Sequence, residues 1–358
     1  MEFTKQDMKM TKGVAIMFML LLHLFCRKDV HGLYDTYPLI NGVPLIYYIG
    51  LFGDACVPIY CFASGYGLFL SIKNSKGQTI KKNGMRIFKL LINFWIILFL
   101  FVGIGGLAGK SETLPGDPIK FILNFFVLSN SYNGAWWFLQ TYILLVLLAP
   151  ALFKIVRKCN SYVLISFSGF VYLITYIQRI KHVIDLGDNS TLNMTVNAIV
   201  LLGTSQLPFI VGAVFAKEKI YTKISKKFNR ISMKNVFCLL GILLLAVIHG
   251  FYESMIIAPI TGITFICLFN LIDKSKFLQK ILDYFGTHST NIWLTHMFFY
   301  MTIFPSLVFA VKYPILIFCW LISLCLISSH IVNFIYKPLI LRIDKNNLNL
   351  SNTKRAIG

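Results

Sequence analysis

In TKGVAIMFMLLLHLFCRK, residues 11–28, a lysine and a histidine stand eleven positions apart within an otherwise apolar run. An α-helix turns about 100° per residue and rises about 1.5 Å, so Lys12 and His23 fall within about 20° of one face and roughly 16 Å apart along it. That stripe suits a ligand with an anionic head and a reactive far end. The ammonium holds the head, and the imidazole, which exchanges protons near neutral pH, meets the other end. The same pair also fits a plainer arrangement, a histidine hydrogen-bonded between helices above a lysine that marks the end of an apolar segment.

Three further places carry ionisable side chains in or beside apolar runs. Asp54 lies in GLFGDACVPIYCFASGYGLF, where Gly50, Asp54, Cys61 and Gly65 fall on one helical face. His23 is a candidate partner for this carboxylate, which would orient the ring and raise its basicity; a lysine or a backbone group is the alternative. Arg86 and Lys89, at i and i+3 of KKNGMRIFKLLINFW, put two cations on one face. Two such cations hold phosphates, or else snorkel to a membrane surface. His288 and His296, with Ser289 between them, belong to HSTNIWLTH. Their spacing of eight is poor for a shared metal, leaving cavity lining or helix-to-helix hydrogen bonds. Trp137, in the pair Trp136–Trp137, has an aromatic belt as its default reading and a cavity wall as its other. His249 and His330 are read as structural.

The elements that position these residues follow from composition. Of 358 residues, 57% are hydrophobic and 13% charged, with a mean hydropathy of +0.71. Soluble domains carry about twice that charged fraction, so the chain reads as an all-α integral membrane protein. Ten apolar segments occur, near 12–28, 44–72, 86–108, 136–156, 161–178, 197–216, 235–251, 255–272, 287–307 and 312–336. With the N-terminus inside, ten spans put 27 of the 34 basic residues on the inner side and 7 outside. That bias predicts both termini in the cytoplasm. The net charge of +20 therefore reports topology rather than a nucleic-acid partner. The eight cysteines form no CxxC pair, which speaks against zinc or a disulfide framework. No cleavable signal peptide is apparent. Residues 1–340 read as a single membrane domain, 341–358 as a cytoplasmic tail, and 118–128 as an amphipathic piece lying at the surface.

Five stretches occur in a familiar order: KGVAIMFMLLLH, FASGYGLFLS, RIFKLLINFW, WWFLQTYILLVLLAP and HSTNIWLTHMFF. Together they resemble the acyltransferase-3 family of integral membrane O-acyltransferases, bacterial proteins that acetylate surface polysaccharides. The resemblance implies an essential His23 with Lys12 as its basic partner, and Arg86 and Lys89 in the family's two basic positions of the third span. It implies acetyl-coenzyme A as donor substrate, no permanently bound cofactor, a carbohydrate acceptor, and a place in the bacterial inner membrane. Lys89 replaces the family's usual second arginine, keeping the charge without the planar fork. Lys9 stands where many relatives have an acid. A transporter, flippase or polymerase for lipid-linked glycans is the competing class, since intramembrane His and Asp also serve proton coupling.

Overall fold

The chain begins with a capping box. Asp7 N–H donates to Thr4 Oγ1 and Thr4 N–H donates to the Asp7 carboxylate, which satisfies the free amides that open α1 (Lys5–Phe25). In the computed structural model, which describes residues 2–73, 79–184, 187 and 190–357, nearly everything else is helix as well. A short hairpin of Leu39–Ile40 and Val43–Pro44 precedes α2 (Leu45–Leu51). Then follow α3 (Cys56–Lys73), α4 (Thr79–Leu107), the surface piece α5 (Pro118–Phe125), α6 (Trp137–Lys158), α7 (Ser161–Lys181), α8 (Ser190–Glu218) and α9 (Ile220–Phe228). The chain closes with α10 (Lys234–Phe251), α11 (Ala258–Leu271), α12 (Lys276–Met297), α13 (Pro305–Phe309) and α14 (Pro314–Ile357).

Among the described residues, eight helices are long and apolar enough to cross a membrane. The two remaining apolar segments of the sequence fall on α11, which is short, and on the second half of α12 with the turn after it. α12 carries little apolar character because its polar side chains point into the protein: His288, Ser289, Asn291, Thr295 and His296 are all buried. The lipid-facing surfaces lie elsewhere, as on α10, where Leu239, Leu240, Leu243 and Leu244 are exposed. Bilayer is the only solvent in which such a row of leucines costs nothing.

Two reciprocal glycine contacts set the packing around the site. Gly13 of α1 rests against the Leu282 carbonyl of α12, and Gly286 of α12 against the Lys9 carbonyl of α1. Gly65 of α3 meets the Phe209 carbonyl of α8, and Gly212 of α8 the Phe62 carbonyl of α3. At each, a Cβ would overlap backbone, so only glycine lets the axes come this close. The single small-residue face expected on 50–65 is thus divided: Gly50 approaches α1 and Gly65 approaches α8. A 3₁₀ turn at Phe52–Ala55 breaks the expected continuous helix between them. At the other end of the chain, α14 is one helix from Pro314 to Ile357.

The glycine contacts generate a comparison. Gly65→Leu forces a side chain into the Phe209 backbone and should destabilise by about 2 kcal/mol, whereas Gly67 faces open space. Thermal unfolding in detergent should show a lowered Tm for Gly65→Leu and little change for Gly67→Leu. Equal shifts would contradict the packing.

Candidate functional site

A cavity of about 860 Å³ opens between α1, α3, α4, α6, α12 and α14. On α4 its wall is Lys82, Met85, Arg86, Lys89, Leu90 and Asn93, a stripe at i, i+3, i+4, i+7, i+8 and i+11. Lys12 lines the cavity from α1, as do His23, eleven residues further along that helix, and Ala135 and Trp137. The structure thus brings Lys12, His23, Asp54, Arg86, Lys89 and Trp137 to one cavity. His288, Ser289 and His296 do not line it. His288 Nδ1 is 2.7 Å from Ser329 Oγ, Ser289 donates to the Gly286 carbonyl, and His296 is fully buried behind His23.

His296 defines the state of His23. The His296 Nδ1 lies 2.7 Å from the Trp293 carbonyl oxygen, and its Nε2 lies 2.8 Å from His23 Nδ1. A carbonyl only accepts, so Nδ1 of a neutral His296 carries the hydrogen and Nε2 carries a lone pair. His23 Nδ1 must then be the donor. The hydrogen on His23 is fixed on Nδ1, and Nε2 is left with a lone pair and no hydrogen-bond partner among the described residues. Such a nitrogen accepts a proton or attacks an electrophile.

The end of α12 is held rigidly enough to aim this pair. The indole N–H of Trp136 and the amide of Asn133 both donate to the Leu294 carbonyl at 3.0 Å, and the Trp293 indole N–H donates to the Ala135 carbonyl. Directly after Met297 the helix widens into a π turn at Phe298–Thr302, a feature frequent at functional sites. Trp136 is therefore a buried staple, 1% exposed, rather than part of an aromatic belt, because its N–H is consumed inside the bundle. Trp137 is the cavity-lining member of the pair, with the Arg179 guanidinium 5.2 Å from its ring centre.

Asp54 does not meet His23. Its Oδ2 lies 3.4 Å from His249 Nε2, and His249 is completely buried. The expectation of an Asp54–His23 pair assumed α-helical register through 44–72. The 3₁₀ turn that contains Asp54 advances side chains by about 120° instead of 100° and shifts the face. Asp54 nonetheless remains on the cavity wall.

The cations are unequal. Lys89 is neutralised by Asp344 of α14, with Nζ–Oδ distances of 2.6 and 2.8 Å. Lys9 is paired with Asp283 at 2.7 Å. Lys12 and Arg86 have no carboxylate partner among the described residues and are close enough to repel one another. Like charges held together out of bulk water call for an anion between them. Lys82, not singled out in the sequence although it stands four residues before Arg86 on the same face, adds a third cation. Arg179 had no such signal, since its approach to Trp137 depends on how α7, packed on α8, is placed beside α6.

A second cavity, of about 610 Å³, adjoins the first at His23. Its walls include Arg27, Trp137, Met297, Tyr300 and Phe309. His23, Ala135 and Trp137 line both cavities, so the imidazole borders each of them.

Fold and site together describe a multi-pass membrane protein in which a cation-lined cavity is also lined by a histidine with an open nitrogen. The chain belongs to the acyltransferase-3 family, whose model, described as an acyltransferase domain, matches residues 6–334, and it is accordingly a membrane acyltransferase. No curated protein and no solved structure matches it.

The hydrogen-bond chain makes a spectroscopic prediction. In protein labelled with ¹⁵N-histidine, His23 and His296 should both appear at neutral pH as the Nδ1–H form. An Nε2–H signal for either ring would contradict the assigned chain.

Proposed function

We propose that the protein moves an acyl group, an acetyl group in the simplest case, from cytoplasmic acyl-coenzyme A to a hydroxyl of a surface or lipid-linked carbohydrate. The observation that carries this reading is the coexistence, in one cavity, of Lys12 and Arg86, without a carboxylate partner among the described residues, and His23 Nε2, without a hydrogen-bond partner among them. A volume of about 860 Å³ lies within the range of small-molecule sites.

In this reading Lys12, Arg86 and Lys82 grip the phosphates of the donor. Arginine takes two oxygens at once, and lysine adds a point charge. The thin pantetheine arm follows the Lys12–His23 face of α1 and sets the thioester beside Trp137. The acceptor hydroxyl arrives from the second cavity. His23 Nε2 takes the hydroxyl proton as the oxygen bonds to the thioester carbon. When the C–S bond breaks, the proton passes from His23 to the departing sulfur, giving free coenzyme A and the ester. While His23 carries both protons, its Nδ1–H continues to donate to His296 Nε2, so the ring does not turn. Two cavities meeting at one imidazole allow both substrates to be present together, which favours direct transfer over a long-lived acyl-histidine.

His23→Ala should lower acceptor-dependent release of coenzyme A by about 10²–10⁴-fold without loss of the folded protein. Substantial residual turnover would remove His23 from the chemistry. Arg86→Ala should raise the donor KM about tenfold or more, and an unchanged donor KM would contradict the phosphate role. His296 is a positioning residue, and its variants separate function from packing. Gln at 296 still accepts from His23 Nδ1 and should retain much of kcat. Leu should lose kcat while keeping the donor KM. Equal kcat in His296→Gln and His296→Leu would contradict the positioning role.

A further inference from the structure

The second cavity contains a charge that no described residue balances. Arg27 lies four residues beyond His23, just past the end of α1, and its half-buried side chain forms part of the wall. It makes no ion pair with any described residue. The neighbouring cation behaves differently: Lys28 Nζ lies 2.7 Å from Glu253, and that ammonium holds the Glu253 carboxyl below the usual carboxylate range. The other acids of this loop are also engaged, Asp29 with His31 and Asp35 with the Tyr37 amide. A protein that supplies Glu253 to Lys28 and leaves Arg27 open has its only unneutralised guanidinium, among the described residues of this cavity, directed at the acceptor's route.

The rest of the wall is aromatic and apolar. Tyr300 is stacked on His296 at 5.9 Å between ring centres, and Trp137 and Phe309 offer further ring surface. Beside Phe309, the buried hydroxyl of Tyr34 has no hydrogen-bond partner among the described residues. Rings suit the C–H faces of a sugar, while the guanidinium suits a carboxylate or phosphate through two parallel hydrogen bonds. A neutral sugar would have to leave that cation partly desolvated and unpaired, which selects against it.

We infer that the second cavity is the acceptor subsite and that it takes an anionic carbohydrate, one bearing a carboxylate or phosphate that Arg27 binds close to the hydroxyl receiving the acyl group. This rests on the acyl-transfer reading above and names its acceptor class. Arg27 contributes affinity and orientation, while the chemistry stays with His23.

The test uses the full-length protein in nanodiscs, radiolabelled acetyl-coenzyme A, and the host's cell-envelope glycans separated by anion exchange into neutral and acidic pools. Mild acid hydrolysis of the acidic pool, which releases lipid-linked sugars, then distinguishes a lipid phosphate from an acidic residue within the glycan. The expected result is label in the acidic pool. In the same assay Arg27→Gln should raise the acceptor KM about tenfold or more, with the donor KM unchanged and Arg27→Lys falling between. Label confined to the neutral pool, or an acceptor KM indifferent to Arg27→Gln, would overturn the inference and leave acyl transfer standing. Failure of the wild-type protein to label either pool would overturn the acyl-transfer reading, and this inference with it.

Discussion

One hydrogen bond between two imidazoles governs the site. His296 is anchored by the Trp293 carbonyl and can only accept from His23, so the lone pair of His23 is fixed on the nitrogen away from His296. A hydroxyl beside His23 would meet a base and not a second donor. The familiar solution places a carboxylate behind the histidine. A neutral imidazole in that place orients the ring and fixes its tautomer without burying a negative charge, which is economical where a charge in lipid is expensive. Much of the surrounding structure serves this bond: the reciprocal glycines that draw α1 onto α12, the indole staples from residues 133–136, and the π turn that ends α12.

Charge distribution supplies direction. In the first cavity stand Lys12, Arg86 and Lys82, with Lys89 held by Asp344. In the second stands Arg27 alone among rings. Unpaired cations in a confined space repel, so the empty protein holds electrostatic strain that an anion relieves. A multiply charged donor relieves it at the first cavity, where three cations converge. A singly charged group is enough at the second. That asymmetry is the reason the proposed donor is placed in the first cavity and the proposed acceptor in the second.

How much of this was legible in the sequence follows from what periodicity reports. The 3.6-residue repeat gives faces, and it placed Lys12 with His23 and Arg86 with Lys89 on walls that do line one cavity. It also flagged His296 as a residue of interest. What it does not give is which face meets which. The partner of His23 lies 273 residues away, that of Asp54 195 away, and that of Lys89 255 away, and no local pattern encodes those meetings. Asp54 was misassigned for a second reason, because the 3₁₀ turn at Phe52–Ala55 interrupts the register from which its face was read. α12 was the hardest element to see as a helix, since the polar side chains that build the site lower its apolar signal.

The central claim is spatial: donor phosphates at Lys12 and Arg86, acyl carbon at His23. An electron cryomicroscopy structure of the protein in nanodiscs with a non-reactive acetyl-coenzyme A analogue, its thioester sulfur replaced by methylene, tests it most directly. The phosphates should contact Lys12 and Arg86, with the acetyl carbonyl placed so that one hydroxyl fits between it and His23 Nε2. An analogue bound in the second cavity, or one whose acetyl end lies away from His23, would contradict the account.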